Sequence, residues 1–137
     1  MSTCALVNEE HQEILKKIHL LEEASLDLLK KQAFSETNLG PLKEFLEVFK
    51  FGVLQHFEIE EKALFPVLRK ASKDKEQPIL ELIYEHGALI QTYSNLQNRI
   101  SPTNYAKMLK DFIEALSAHA RKELELLPPL MEALNEE

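Results

Sequence analysis

The chain has one cysteine, no tryptophan and three glycines in 137 residues. A lone thiol, Cys4, excludes an internal disulfide and fits a reducing compartment. Scarce glycine and weak turn chemistry, set against abundant Leu, Glu and Lys, favour an all-helical protein. Positive charge is also short: 16 Lys and Arg face 23 Asp and Glu, a formal net charge of -7. That balance argues against a nucleic-acid partner, which would need a basic face. No apolar run approaches the ~20 residues of a membrane span. The N-terminus has neither the charged start nor the apolar core of a secretory signal, so the expected location is the cytoplasm. A single domain over residues 1–137 is long enough for a real core.

What is present is helical periodicity, four times over. The first helix is expected to start between Ser2 and Asn8 and to run to about Gln32, with His11, Ile14, Leu15, Ile18, Leu21, Ser25 and Leu28 facing inward. His19, eight residues past His11, is turned roughly 80° away and reads as a flank or surface residue. Residues 33–40 read as a loop closed by Gly40, with Pro41 opening the second helix. That helix runs to about Ala71 and turns Leu42, Phe45, Leu46, Phe49, Val53, Leu64, Val67 and Leu68 inward. Pro66 inside it predicts a kink or break one turn earlier, where its ring meets the carbonyl four residues back. Residues 72–77 read as a tight charged loop, and Pro78 suits the start of a third helix. The third stripe is Ile79, Leu82, Ile83, His86, Leu89, Ile90, Tyr93, Leu96 and Ile100. Ser101 and Pro102 mark a stop and restart. The fourth stripe is Tyr105, Met108, Leu109, Phe112, Leu116, His119, Glu123 and Leu126 or Leu127. Pro128 and Pro129 are expected to break or bend that helix, leaving a short extra turn over residues 130–134 that folds back over the bundle end. Short connections make neighbours antiparallel, so the expected fold is an all-α, up-down-up-down four-helix bundle.

One stretch organises this pattern. Residues 56–66 read HFEIEEKALFP, and residues 119–129 read HARKELELLPP. His56 and Glu60 share a helix face with the apolar stripe, as do His119 and Glu123. A buried carboxylate without a partner is costly, and no Lys or Arg lies on these stripes nearby. Helical rise sets His86 about 21 Å from Ile100 and His119 about 24 Å from Thr103, so antiparallel packing levels the two. His11 lies about 31 Å from Gln32 and His56 about 22 Å from Pro41, a mismatch that a climbing loop at 33–40 would absorb. The chain thus falls into two halves of one form, His11 with His56 and Glu60, and His86 with His119 and Glu123. Four imidazoles and two carboxylates in a bundle core suit two metal ions bridged by the carboxylates. This donor set suits iron, manganese or zinc.

With these residues in place, the chain resembles the hemerythrin-like, or HHE cation-binding, family. That family carries a His on the first helix, His-x-x-x-Glu on the second, a His on the third and His-x-x-x-Glu on the fourth, matched here by His11, His56 with Glu60, His86, and His119 with Glu123. The HF-x-x-EE-x-x-LFP wording is specific to it, and the likeness covers nearly the whole chain. The resemblance implies two iron ions per chain in a non-haem centre with an oxo or hydroxo bridge. One iron would take His11 and His56, the other His86 and His119, and Glu60 and Glu123 would bridge both. It implies a small ligand, dioxygen, nitric oxide or peroxide. Oxygen-carrying hemerythrins have another third-helix histidine four residues away, where this chain has Leu82 and Ile90. Their fourth helix also uses a longer His-to-Asp spacing. Fewer protein ligands leave more open metal positions, which favours reactivity or sensing. The closer resemblance is to bacterial and archaeal HHE proteins linked to nitric-oxide and oxidative stress.

Around the motif, Phe49, Phe57, Phe65 and Phe112 read as apolar wall, and Glu58 and Glu61 as solvated. Glu85 is a candidate to orient the His86 ring. The charge run at 9–10 reads as a solvated face, and Cys4 as an incidental thiol near a frayed end.

Overall fold

The apolar stripes become long helices in the computed structural model. It describes the backbone of residues 3–31, 36–98 and 101–135, and the side chains of all of these except residues 3, 28–31, 36–38 and 135. Helix α1 spans Thr3–Lys31 and α2 spans Glu36–Ile59. A π-helical turn, Glu60–Leu64, leads into the short α3, Phe65–Ala71. A single 3-10 turn, Lys73–Lys75, connects to α4, Glu76–Leu96, and α5 runs over Pro102–Asn135. No strand occurs among the described residues. α1 packs on α2 and α5, and α4 packs on α5 and α3. The α2–π–α3 run thus acts as one bent second helix of an up-down-up-down bundle. Leu28 and Ile100, expected on the inner stripes, lie outside the described side chains.

Four local expectations are corrected. The second helix starts at Glu36, with Gly40 and Pro41 inside it. Leu39, placed by sequence in a loop, is fully buried in the larger apolar cluster, and that burial holds the added turn. The levelling problem disappears as a result. Lys31 ends α1 about 30 Å past His11, and Glu36 opens α2 about 30 Å before His56. The fourth helix does not break at Pro128 and Pro129. The extra C-terminal turn is the last stretch of α5 itself, anchored by buried Leu127 and Met131, while Pro129 faces solvent where water can replace a lost backbone bond. The third helix stops at Leu96, short of the expected end.

The fourth correction, at Val67, follows from the break expected before Pro66. A proline cannot donate to the backbone ladder and crowds the carbonyl four residues back. The chain answers with the π-turn, in which the Phe65 N–H donates to the Glu60 carbonyl, five residues back. The expected break one turn before Pro66 is therefore present. One extra residue in the turn rotates α3 by ~100° relative to α2. Phe65 turns fully inward and Val67, expected on the stripe, is 48% exposed.

The core has two apolar ends. The larger, built on residues such as Leu21, Leu39, Leu46, Phe49, Leu109 and Leu116, fills the bundle on the side of the α1–α2 connection. The smaller one joins Val7, Leu64, Phe65, Leu68, Ile79, Leu82, Leu127 and Met131 at the opposite end. Cys4 is buried in this second cluster, not at a frayed end. Between the two lies one polar layer. Replacing Leu39 by Ala is expected to destabilise the protein by ~2–5 kcal/mol, as for a core leucine. Urea denaturation would check this; a change near zero would return residues 36–40 to a solvated loop.

Candidate metal centre

The polar layer consists of the six residues singled out by the sequence. His11 comes from α1, His56 from the last turn of α2, Glu60 from the first position of the π-turn, His86 from mid-α4, and His119 and Glu123 from α5. All are buried, from 0% exposure at Glu60 to 6% at His11. His56 with Glu60 and His119 with Glu123 each stack one helical turn apart, so each carboxylate sits directly below its own imidazole.

Every histidine turns Nε2 toward the carboxylates. Glu123 Oε2 lies 2.6 Å from His11 Nε2 and 3.6 Å from His56 Nε2. Its other oxygen, Oε1, lies 2.6 Å from His119 Nε2 and 3.2 Å from His86 Nε2. One carboxylate therefore divides its two oxygens between two histidine pairs. Glu60 spans both pairs less evenly: Oε2 is 3.1 Å from His11, while Oε1 is 3.3 Å from both His56 and His86. The paired rings match as well. His11 and His56 are 4.5 Å apart at 68°, and His86 and His119 are 4.7 Å apart at 65°. The two halves of the sequence are thus two halves of the site.

Several of these contacts are close without being hydrogen bonds. Among the described residues His56 Nε2, His119 Nε2 and Glu60 Oε1 are buried and have no hydrogen-bond partner of acceptable geometry. Their lone pairs converge on a common space, which is what donors to a cation require. Two groups of donor atoms, His11–His56–Glu60–Glu123 and His86–His119–Glu123, are compact enough to hold an ion each, with Glu123 common to both. The residues therefore fit a metal. A cavity of about 10 Å³ touches His11, His56, His119 and Glu123, bounded by Phe57, Leu116 and Ala120.

The outer nitrogens are held by acids that face assignment on single helices misplaces. His56 Nδ1 lies 3.0 Å from Glu10 Oε1, and His119 Nδ1 lies 2.8 Å from Glu85 Oε1. Glu85 serves His119 rather than its neighbour His86, and it also accepts from the Lys122 ammonium. Glu10, read as solvated, is an inner-flank partner. A signal for both is present in the sequence: an acid immediately precedes the histidine on both α1 and α4, where it leans toward the next helix in the ring. Glu61 Oε2 approaches His86 Nδ1 at 3.5 Å. His19 pairs with Glu23 at the surface, as expected. Phe57 stacks on His86 at 3.8 Å and 9°, and Phe65 lies on it at 5.9 Å and 22°.

The fold and this layer define a helical-bundle protein with a buried cation-binding cluster. The family model described as the Hemerythrin HHE cation binding domain matches residues 4–131, and the chain belongs to that family. Comparison with curated proteins and with solved structures finds no significant match. No helix among the described residues is long and apolar enough to cross a membrane.

Without metal, the layer is a network of imidazolium and carboxylate. Burial alone would strip charge from the histidines, but the close approach of the Glu123 and Glu60 carboxylates prevails and raises His56 to about 10 and His86 to about 9. His11 is raised by the same partners against the same burial penalty. Burial would likewise raise Glu123, yet hydrogen bonds from His11 and the other imidazoles hold it well below 4.5. Glu60 is lowered for the same reason.

For raised histidines, the stabilisation is full below their unfolded value of 6.5 and fades as pH rises through about 9 to 10. For lowered carboxylates it is present above 4.5 and fades as pH falls through their folded values. Chelator-treated protein should therefore melt highest between about 4.5 and 6.5 and lose stability toward pH 10, and metal uptake at pH 7 should release protons. Melting curves across pH and a pH-stat titration read both; a flat alkaline limb would refute the network. Replacing Glu10 or Glu85 by Ala should weaken metal binding by about 10–100-fold, measured by chelator competition. Unchanged affinity in both variants would show that these acids do not orient the rings.

Proposed function

We propose that this chain is a non-haem di-iron protein that binds a small molecule, dioxygen, nitric oxide or peroxide, for carriage, storage or sensing. The observation that carries the reading is the division of the Glu123 oxygens between His11 with His56 and His86 with His119. In this reading one iron is held by His11 and His56 and the other by His86 and His119. Glu123 would be shared between them, and Glu60, whose oxygens also meet both pairs, would be a second shared ligand. Imidazole with carboxylate is equally a donor set for manganese or zinc, and iron is chosen through the family. The metals, when bound, supply redox chemistry and open positions for the small ligand. The chain's own residues hold the imidazoles in one tautomer through Glu10 and Glu85, and exclude water with the apolar clusters on either side.

A second reading, an enzyme that reduces peroxide or nitric oxide or protects iron–sulfur centres, is favoured by one specific feature. Leu82 and Ile90, the α4 residues one turn either side of His86, add no further donor: Leu82 is buried in the smaller apolar cluster and Ile90 is half-exposed. Reversible spectral change without turnover distinguishes the binder. Consumption of peroxide or nitric oxide in the presence of an electron source distinguishes the enzyme.

Metal analysis with an optical spectrum tests the shared premise. Wild-type protein purified without chelator should carry two irons per chain with the near-ultraviolet absorption of a bridged ferric pair. Glu123→Ala should lose metal and stability together. Retention of two irons by that variant would remove Glu123 from the bridge.

A further inference from the structure

The two halves of the site differ in the residue that follows the motif histidine. Phe57 follows His56, but Ala120 follows His119, so a ring in one half is matched by a methyl in the other. The 10 Å³ cavity beside His11 and His119 borders that methyl. On the far side of Phe57 and Leu116 lies a second, larger cavity of about 110 Å³, between α2 and α4 with α5 as its floor. Its inner wall is hydrocarbon, with Val53, Leu89 and Phe112 among the lining residues. Its polar residues are Lys50, Ser94 and Gln97, with Tyr93 engaged by Glu47. Phe57 and Leu116 line both cavities and are the partition between them.

We propose that the larger cavity is an antechamber for an apolar diatomic gas, which docks there and passes Phe57 and Leu116 to reach the metal centre. This rests on the small-molecule reading above and narrows it to dioxygen or nitric oxide. A closed, dry cavity of comparable size lined by Leu, Ile and Phe takes up xenon and benzene, and this one has a like inner wall while opening to solvent along its polar edge. Hydrogen peroxide carries two hydroxyls that this wall leaves without partners, so it is excluded from the route. Phe57 is held in place by its stack on His86, and buried Leu116 completes the partition.

Xenon-pressurised crystals of chelator-treated and iron-loaded protein test the site without any gas chemistry. Xenon is expected among Val53, Leu89 and Phe112 in both. Val53→Phe, which fills the cavity, and Ile90→Trp, which obstructs it from the half-exposed edge of α4, should each abolish the xenon peak. Each should also slow nitric-oxide association with, and dissociation from, the reduced iron protein by the same factor of about ten, leaving its affinity and its iron content unchanged. Using both variants guards against one that fails to fold. A wild-type cavity without xenon overturns the proposal and leaves the metal reading standing. Loss of xenon with an unchanged association rate shows that the gas enters elsewhere and also overturns it. Failure of the function reading looks different: the xenon peak persists, but iron-loaded wild-type protein binds no nitric oxide, and the cavity is then no antechamber.

Discussion

Two carboxylates buried in the middle of an apolar bundle are the constraint on which this structure depends. Glu60 and Glu123 have no aqueous solvation, and an isolated buried charge would neutralise rather than persist. Four imidazoles, one from each long helical element, surround them and keep them ionised. Each helix therefore has to present its histidine at one level and at one angle. A slip of one residue on any of them would rotate a donor by ~100° and leave a buried charge without its partner. Packing against the two apolar clusters then fixes the layer from above and below.

The π-turn shows how local strain is fitted to that layer. Pro66 removes a backbone donor just beyond Glu60, and the widened turn absorbs it where the chain leaves the polar layer for the smaller cluster. The turn delivers Phe65 inward against His86 and turns Val67 out toward solvent. A residue that cannot donate a hydrogen bond thus shapes the wall around an imidazole on a neighbouring helix.

The bundle and the six-residue cluster were legible because both rest on strict periodicity. Histidines and glutamates at core positions of amphipathic helices have few physical explanations, and the repeated His-x-x-x-Glu narrowed them further. What was hidden depended on tertiary override. Gly40 and Pro41 carry the chemistry of a helix start, yet burial of Leu39 extends α2 through them. Pro128 and Pro129 signal a break, yet Leu127 and Met131 hold α5 together across them. Glu10 and Glu85 lie off the inner face of their own helices, so face assignment alone makes Glu10 solvated and gives Glu85 to the neighbouring His86. Their partners sit on the neighbouring helix, and only the rotation of one helix against the next reveals the contact.

The 2.6 Å approach of His11 to Glu123 joins the first helix to the last. The ribosome releases these two residues well apart in time. When Glu60 has emerged, the chain holds only the donors of one hairpin; His119 and Glu123 follow about 60 residues later. The donor group His11, His56, Glu60 and Glu123 is therefore complete only once Glu123 has emerged, and its assembly reports that α5 has closed on α1.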